Sequence, residues 1–526
     1  MHPLLALLLV AARGATPAPA PAPAPKPRLI VVITVDQLRP DYLERFRPQL
    51  QGGFVTLLKA GAVFTDAYQD HAITETAPGH STILSGRWPV HTGIVSNVEG
   101  VQDPKAPLIG VNGSGASPKR FRGTAFFDWL QAADPGARAL AVSGKDRGAI
   151  LPIGRAKANV FWYVGGYFTT SRYYADSLPT WVKLFNGQRV PFRAAGTSWN
   201  LFLGDRDYPE TDSVSYEHGG HDVIFPHRLP VDSGAAALAF LATPTMDSLT
   251  LAFALEGVRA LQLGGRGATD LLSVSLSTTD YIGHAFGPDS REIEDQIVRL
   301  DRYLGRFLEQ LFVRYGRSKV LVVLTADHGV TPFPEHSRAL GHSGAVRVTP
   351  DSIIGNANAA LDQRAGGADW LLFESGMLRI PDRSKLQGAG VDVDSVVTDV
   401  AARLRAVPGV ARVIRTAELE AKDTADPVIR RWQHQIPPDG GVEFVVTLTP
   451  YSIWSFPNLP IAMHGQPTDL DAHVPIILSG PGIQKGVYGG RVSTVDIAPT
   501  LARLLGLTPA EPLDGRPLTE ALSAEN

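Results

Sequence analysis

The sequence predicts an α/β fold: a central, mostly parallel sheet flanked by helices, with cap or subdomain segments inserted between its elements. Three observations lead there. Short, almost wholly apolar runs recur along the chain, and most lead into an aspartate. Amphipathic helical patterns separate them, and two long stretches interrupt the alternation. Apolar runs without a polar alternate mark strands buried on both faces, as in a parallel sheet covered by helices.

Taken in order, residues 1–15 read as a secretory signal peptide. Residues 4–12 are apolar, too short a run to span a bilayer as a helix, and small residues follow around Ala15. Residues 16–27 alternate Ala and Pro, which favours extended polyproline II and makes a semi-rigid linker. The catalytic domain is expected over 28–526. Its first apolar run is Leu29–Val35, ending at Asp36; residues 271–276 lead to Asp280, and 320–324 lead to Asp327. A fourth run, 474–478, ends at Ser479-Gly480-Pro481-Gly482. Between them, 290–311 carries Ile293, Ile297, Leu300, Leu304, Phe307, Leu308 and Leu311 on one helical face. Residues 496–505 form another amphipathic stretch, stopped near Gly506. Near 161–253 the pattern fails, with many aromatics and a polar stretch at 213–227, which reads as an insertion or cap over the site. A second insertion, near 355–449, combines two alternating patterns with a helical stretch at 396–406, as in a small α+β subdomain. In an open α/β sheet, ligands sit at the carboxyl ends of the strands, which is where these aspartates fall.

Composition narrows the chemistry. Of 526 residues, 44% are hydrophobic and 19% charged, as in a soluble globular protein. A net charge of -3 offers no excess of cations, so there is no nucleic-acid-binding signature. With no cysteine in the sequence there are no disulfides, thiolate metal sites or cysteine nucleophiles, nor a cysteine to carry a lipid, so no stable membrane anchor is expected. Any metal is held by His and carboxylate, which suits zinc or other divalent ions. The oligomeric state is not legible.

Four clusters offer such ligands. Asp36 ends the first strand. Asp280 and His284 form D-x-x-x-H, about one helical turn apart. Asp327 and His328 are adjacent in T-A-D-H-G, and His464 lies in M-H-G-Q. Each alone is equally a helix cap or a solvated pair. Together they supply three carboxylates and three imidazoles, about what two catalytic metals with open positions require. Thr76, in T-E-T-A-P-G-H-S-T, is a hydroxyl at a loop-to-helix junction, among backbone N–H groups that suit an anionic phosphoryl group. A coordinating metal ion would activate it as a nucleophile. Lys145 and Arg147, in S-G-K-D-R-G-A, are two cations at i and i+2; on an extended segment both would reach one phosphate.

These motifs, in this order, resemble the alkaline phosphatase superfamily, and within it the threonine-nucleophile, periplasmic, phosphate-irrepressible alkaline phosphatases related to nucleotide pyrophosphatase/phosphodiesterases. The resemblance runs from Arg28 to the terminal V-D-I-A-P-T-L-A-R-L-L-G and L-D-G-R-P segments. It implies two Zn2+, one held by Asp280, His284 and His464, the other by Asp36, Asp327, His328 and the nucleophile Thr76. Asn97, in I-V-S-N, matches the asparagine that contacts a phosphate oxygen, and Lys145 with Arg147 match the pair that marks the monoesterase branch. His464 is preferred to His473 because a glycine follows it. Sulfatases are disfavoured, since Thr76 and His80 stand where C/S-x-P-x-R needs its first and last residues. The implied activity is phosphomonoester hydrolysis through a phosphothreonine intermediate, on small phosphorylated substrates, in the periplasm or secreted. A phosphodiesterase with the same two-zinc site, or a non-catalytic binding protein of the same fold, are the alternatives.

Overall fold

The computed structural model of the chain describes residues 26–367, 369–419, 424–455 and 461–523. The signal peptide expected over 1–15, and the linker over 16–27 apart from its last two residues, lie outside them. Strands of three or more residues are β1 (Leu29–Val35), β2 (Ala62–Phe64), β3 (Ala139–Ser143), β4 (Asn159–Val164), β5 (Tyr167–Thr169), β6 (Asp270–Leu276), β7 (Val320–Thr325), β8 (Leu372–Glu374), β9 (Met377–Arg379), β10 (Val410–Arg415), β11 (Val442–Leu448), β12 (Ile476–Ser479) and β13 (Gly486–Tyr488).

Nine of them form one sheet in the order β13-β2-β12-β7-β1-β6-β3-β4-β5. From β7 through β1, β6 and β3 to β4 every pairing is parallel. All residues of β1, β6 and β7 are buried, as their unbroken apolar runs require. The two-residue period of a strand divides β1 between two cores: Val31 and Ile33 face one side with Leu304 and Phe307, and Ile30 and Val32 face the other with Ile497 and Leu501. Ser290 Oγ accepts from the Ile293 N–H (3.2 Å) and caps the long helix Arg291–Tyr315, which buries the apolar face read from the sequence. The helix Ile497–Leu505 stops at Gly506, at φ 68°.

The fourth apolar run takes a different direction from the first three. It forms β12, which pairs antiparallel with β7. The chain has just left the site at His464, beside the carboxyl ends of the parallel strands, so its next strand starts from that edge and runs away from it. β3 and β4, which the sequence reading did not single out, extend the parallel sheet.

The irregular stretch near 161–253 begins and ends on core elements. Phe161 lies in β4 and Phe253 in the helix Pro244–Ala260, with their rings 5.5 Å apart. The segment between them folds onto the start of the long helix: Trp199 Nε1 and Tyr208 Oη both donate to Asp295 (2.6 Å each). Within 355–449, β8–β11 form a four-stranded antiparallel sheet in the order β8-β9-β11-β10. It has its own core, including Leu378, Val397, Val400, Leu404, Phe444 and Val446.

Candidate active site

The register of the parallel strands lines up their carboxyl ends, and the polar residues just beyond those ends converge. Val35 is level with Leu276, and Thr34 with Thr325. Asp36 therefore emerges beside the turn into the helix Thr278–Phe286, which carries Asp280 and His284, and beside the Asp327-His328 pair. Lys145 leaves β3 two residues beyond its end.

Thr76 opens the helix Thr76–Ile83, with Glu75 extended before it at φ −113° and ψ 164°. This helix lies directly on the backbone after β7. A Cβ on Gly79 would fall 2.2 Å from the Asp327 carbonyl oxygen, so only glycine permits the approach. The glycine inside D-Y-I-G-H has a similar cause: a Cβ on Gly283 would meet Gln37 Oε1 at 1.8 Å.

The predicted ligands come together. Asp36, Asp327 and His328 form one buried group, and Asp280, His328 and His464 form another, with ligand atoms inside each group within 4.8 Å of one another. His328 belongs to both, so the two groups are contiguous. His284 Nε2 lies 3.2 Å from Asp280 Oδ1 and 3.2 Å from His464 Nε2. Thr76 Oγ1 lies 3.5 Å from His328 Nε2 and 3.5 Å from Lys145 Nζ. His473 is in neither group; it stacks on Tyr68 and its Nε2 reaches the Thr65 carbonyl (3.0 Å).

Each imidazole is held by its other nitrogen. Nδ1 of His284 lies 2.6 Å from the Ala462 carbonyl, that of His464 2.7 Å from the Thr74 carbonyl, and that of His328 2.9 Å from the Gly329 carbonyl. A carbonyl only accepts, so Nδ1 carries the proton and Nε2 presents a lone pair toward the site. Nε2 of His284 and Nε2 of His464 lie 3.2 Å apart with Asp280 Oδ1 beside both, an arrangement suited to a shared cation. Asp36 Oδ1 is buried and accepts no hydrogen bond among the described residues. Two of the three buried carboxylates share one ammonium, Lys145, whose Nζ is 2.6 Å from Asp36 and 2.5 Å from Asp280. This donor set of neutral imidazole and carboxylate fits divalent metal ions.

The electrostatics follow from burial and proximity. Burial, with Asp280 and Asp327 close by, pushes the Asp36 carboxyl well up. Burial also works against the Asp280 anion, yet Lys145 and His284 overcome it and hold that carboxyl well below the usual range. Burial pulls His328 down to about 3, keeping it neutral as a metal ligand must be.

Asn97 Oδ1 accepts from the Ala77 N–H (2.9 Å), which leaves its amide hydrogens free to donate. The cation pair departs from the extended arrangement read from the sequence. Lys145 is extended, but Arg147 lies in the helix Asp146–Ile150 that Lys145 caps, because Gly148-Ala149-Ile150 continue as a buried helical turn. Lys145 is buried, with its ammonium 5.1 Å from the Tyr281 ring centroid, and Arg147 is partly exposed.

Three positions at the site escaped the sequence reading. Gln37, buried at φ 66°, donates from its main chain to Asp327 (3.1 Å) and from its side chain to Asp280 (3.0 Å), linking the two groups. His80 Nδ1 lies 3.1 Å from Asp327 Oδ2 and 2.9 Å from the Thr76 carbonyl, and its Nε2 is 2.9 Å from Ser275 Oγ. Glu75 receives the Asn97 N–H (2.7 Å). The only signal for Gln37 or His80 was a polar residue beside an already suspected one.

A buried cluster of carboxylates and imidazoles beside a helix-opening hydroxyl, at the carboxyl edge of a parallel sheet, defines a metal-assisted hydrolase of anionic esters. A family model described as type I phosphodiesterase / nucleotide pyrophosphatase matches residues 30–407, and the chain belongs to that family, within the alkaline phosphatase superfamily. More narrowly, it is 30% identical to alkaline phosphatase PafA of Elizabethkingia meningoseptica, over 94% of each chain. It is 32% identical to alkaline phosphatase PhoK of a Sphingomonas species, over 93% of this chain and 90% of the relative. The crystal structure of wild-type PafA superposes with a TM-score of 0.87 at 29% identity, covering 95% of this chain and 99% of that one.

Proposed function

We propose that this chain is a metal-dependent phosphomonoester hydrolase, an alkaline phosphatase, that works through a phosphothreonine intermediate on Thr76. The observation that carries the reading is the position of the Thr76 hydroxyl, 3.5 Å from both His328 Nε2 and Lys145 Nζ, where the two ligand groups meet. Asp280, His284 and His464 would hold one zinc ion; Asp36, Asp327, His328 and Thr76 would hold the other. Bound there, the metals supply positive charge at the attacking and leaving oxygens.

The chain's own residues do the rest. Thr76 Oγ1 forms a bond to phosphorus as the ester P–O bond breaks, and the alcohol departs with a proton equivalent to the one the hydroxyl gave up. Water then attacks the phosphothreonine, restoring the hydroxyl and releasing inorganic phosphate. Such a reaction depends on positioning and charge more than on covalent chemistry. Asn97, anchored through Oδ1, donates its amide hydrogens to one non-bridging oxygen. A monoester carries a further anionic oxygen, and Lys145 with Arg147 are its partners; a diester has an alkyl group there. Small phosphorylated molecules are therefore the substrate class. Export to the periplasm or beyond is part of this reading; among the described residues no single helix is long and apolar enough to cross a membrane.

Thr76→Ala should abolish monoester turnover while the Asp and His ligands that remain keep both ions bound, and acid quenching of the wild type with a radiolabelled monoester should leave label on the peptide containing Thr76. Substantial turnover by the variant would reject Thr76 as nucleophile. Removing Lys145 and Arg147 together should cost monoester kcat/KM far more than diester kcat/KM; equal losses would favour the phosphodiesterase reading.

A further inference from the structure

The hairpin β8–β9 pairs Glu374 with Met377, leaving Ser375-Gly376 as a two-residue turn. Both residues have positive φ, 49° and 85°, as the tightest hairpin turns require of their central pair. Glycine meets that demand without strain. A serine does not, because an L side chain crowds the backbone in the left-handed region, and Asn, Asp or Gly serve such turns better. Strain of this kind persists where a contact repays it.

The contact is made by the hydroxyl: Ser375 Oγ donates to Glu75 Oε1. Glu75 immediately precedes Thr76, and its other oxygen accepts from the Asn97 N–H (2.7 Å). Asn97 Oδ1 in turn accepts from the Ala77 N–H (2.9 Å). One carboxylate thus joins the start of the nucleophile helix, the loop that carries Asn97, and a hairpin turn 300 residues further along the chain. The hairpin grips the same loop a second time, with Arg379 Nη1 2.6 Å from Glu99 Oε2. From the other side, a Cβ on Gly465 would lie 3.6 Å from Glu75 Cγ, so the segment after His464 packs against the same stem.

We propose that Ser375 is a positioning residue for phosphoryl transfer: through Glu75 it aligns the Asn97 amide with the Thr76 hydroxyl, so that the inserted sheet completes the active site. The proposal rests on the roles given above to Thr76 and Asn97. Without the Ser375 hydroxyl, Glu75 Oε1 loses the contact that sets the rotation of its carboxylate, and the loop bearing Asn97 stays attached through Arg379 and the Ala77 N–H but is less closely aligned with Thr76.

Ser375→Gly separates positioning from structure, because glycine suits φ 49° better than serine. This variant should melt no lower than wild type, yet its monoester kcat/KM should fall about five- to tenfold. Placed in an Asn97→Ala background, the same change should alter kcat/KM by less than about twofold, since the contact it aligns is already gone. Ser375→Asn, which tolerates the left-handed turn and offers an amide donor, should recover most of the loss. Wild-type kcat/KM in Ser375→Gly, or the same loss with and without Asn97, would overturn the proposal. A wild-type protein that is stable and metal-loaded but inert to monoesters would instead reject the underlying reading of the site, and the proposal with it.

Discussion

Every imidazole at the site is locked by a main-chain carbonyl on Nδ1, so the direction of each Nε2 is fixed by backbone rather than by another side chain. Preset ligands of this kind lose little freedom when metal binds. His328 lies near both ligand groups, whereas Nε2 of His284 lies beside Asp280 and His464. His328 is assigned only to the ion shared with Asp36, Asp327 and Thr76, so His328→Ala should deplete that ion and lower kcat by more than about 100-fold, the upper end for loss of an outer-shell partner. His284→Ala should deplete one group and spare the other. Metal analysis by mass spectrometry on dialysed protein should find about one of two ions retained in each variant; full occupancy in either, or loss of both ions, would contradict the assignment. At this scale the sequence was most legible where a titratable residue ended an apolar run, as with Asp36, or lay in a motif with glycine, as with His328 and His464. Gln37 and His80 were not legible, because their importance comes from contacts across the chain: Gln37 reaches residues 243 and 290 positions away.

The helix Thr76–Ile83 shows how close packing can reverse an ordinary propensity. Alanine in place of glycine inside a helix is normally worth about 1 kcal/mol of stability. At Gly79 the added Cβ would sit 2.2 Å from the Asp327 carbonyl, so either the helix or the metal-ligand loop must move. Overpacking of this sort costs about 1–3 kcal/mol. Gly79→Ala should thus lower the melting temperature and cut turnover together, read by thermal melts and monoester kinetics on the same preparation. A variant as stable and active as wild type would show that the approach is looser than described. Among the elements, β1, β6, β7 and the long helix were legible because each has one pattern and one environment. β12 was legible as a strand but not in direction, since direction depends on where the preceding loop has left the chain. The hairpin β8–β9 was hidden within an alternating stretch, and its link to Glu75 is a tertiary fact with no local trace.

Across the whole molecule, acidic groups also gather away from the site, where the 205–227 segment meets the long helix. Glu217 is buried at 4% exposure, and burial, with Glu292 and Asp212 nearby, pushes its carboxyl up to about 9 from an ordinary 4.5. The folded chain therefore holds a proton there that the unfolded chain releases near pH 4.5. The stability this contributes is present at low pH and drains away as pH rises through about 9. Glu217→Gln should match wild type in melting temperature near pH 5 and exceed it increasingly toward pH 9; a constant difference across that range would contradict the assignment.

The central claim is that scattered carboxylates and imidazoles meet around a pair of metal ions beside Thr76. Anomalous diffraction at the zinc absorption edge, on crystals of zinc-loaded protein, tests it most directly. The account predicts one peak among Asp36, Asp327 and His328 and a second among Asp280, His284 and His464. A single peak, or zinc bound only elsewhere on the chain, would contradict it.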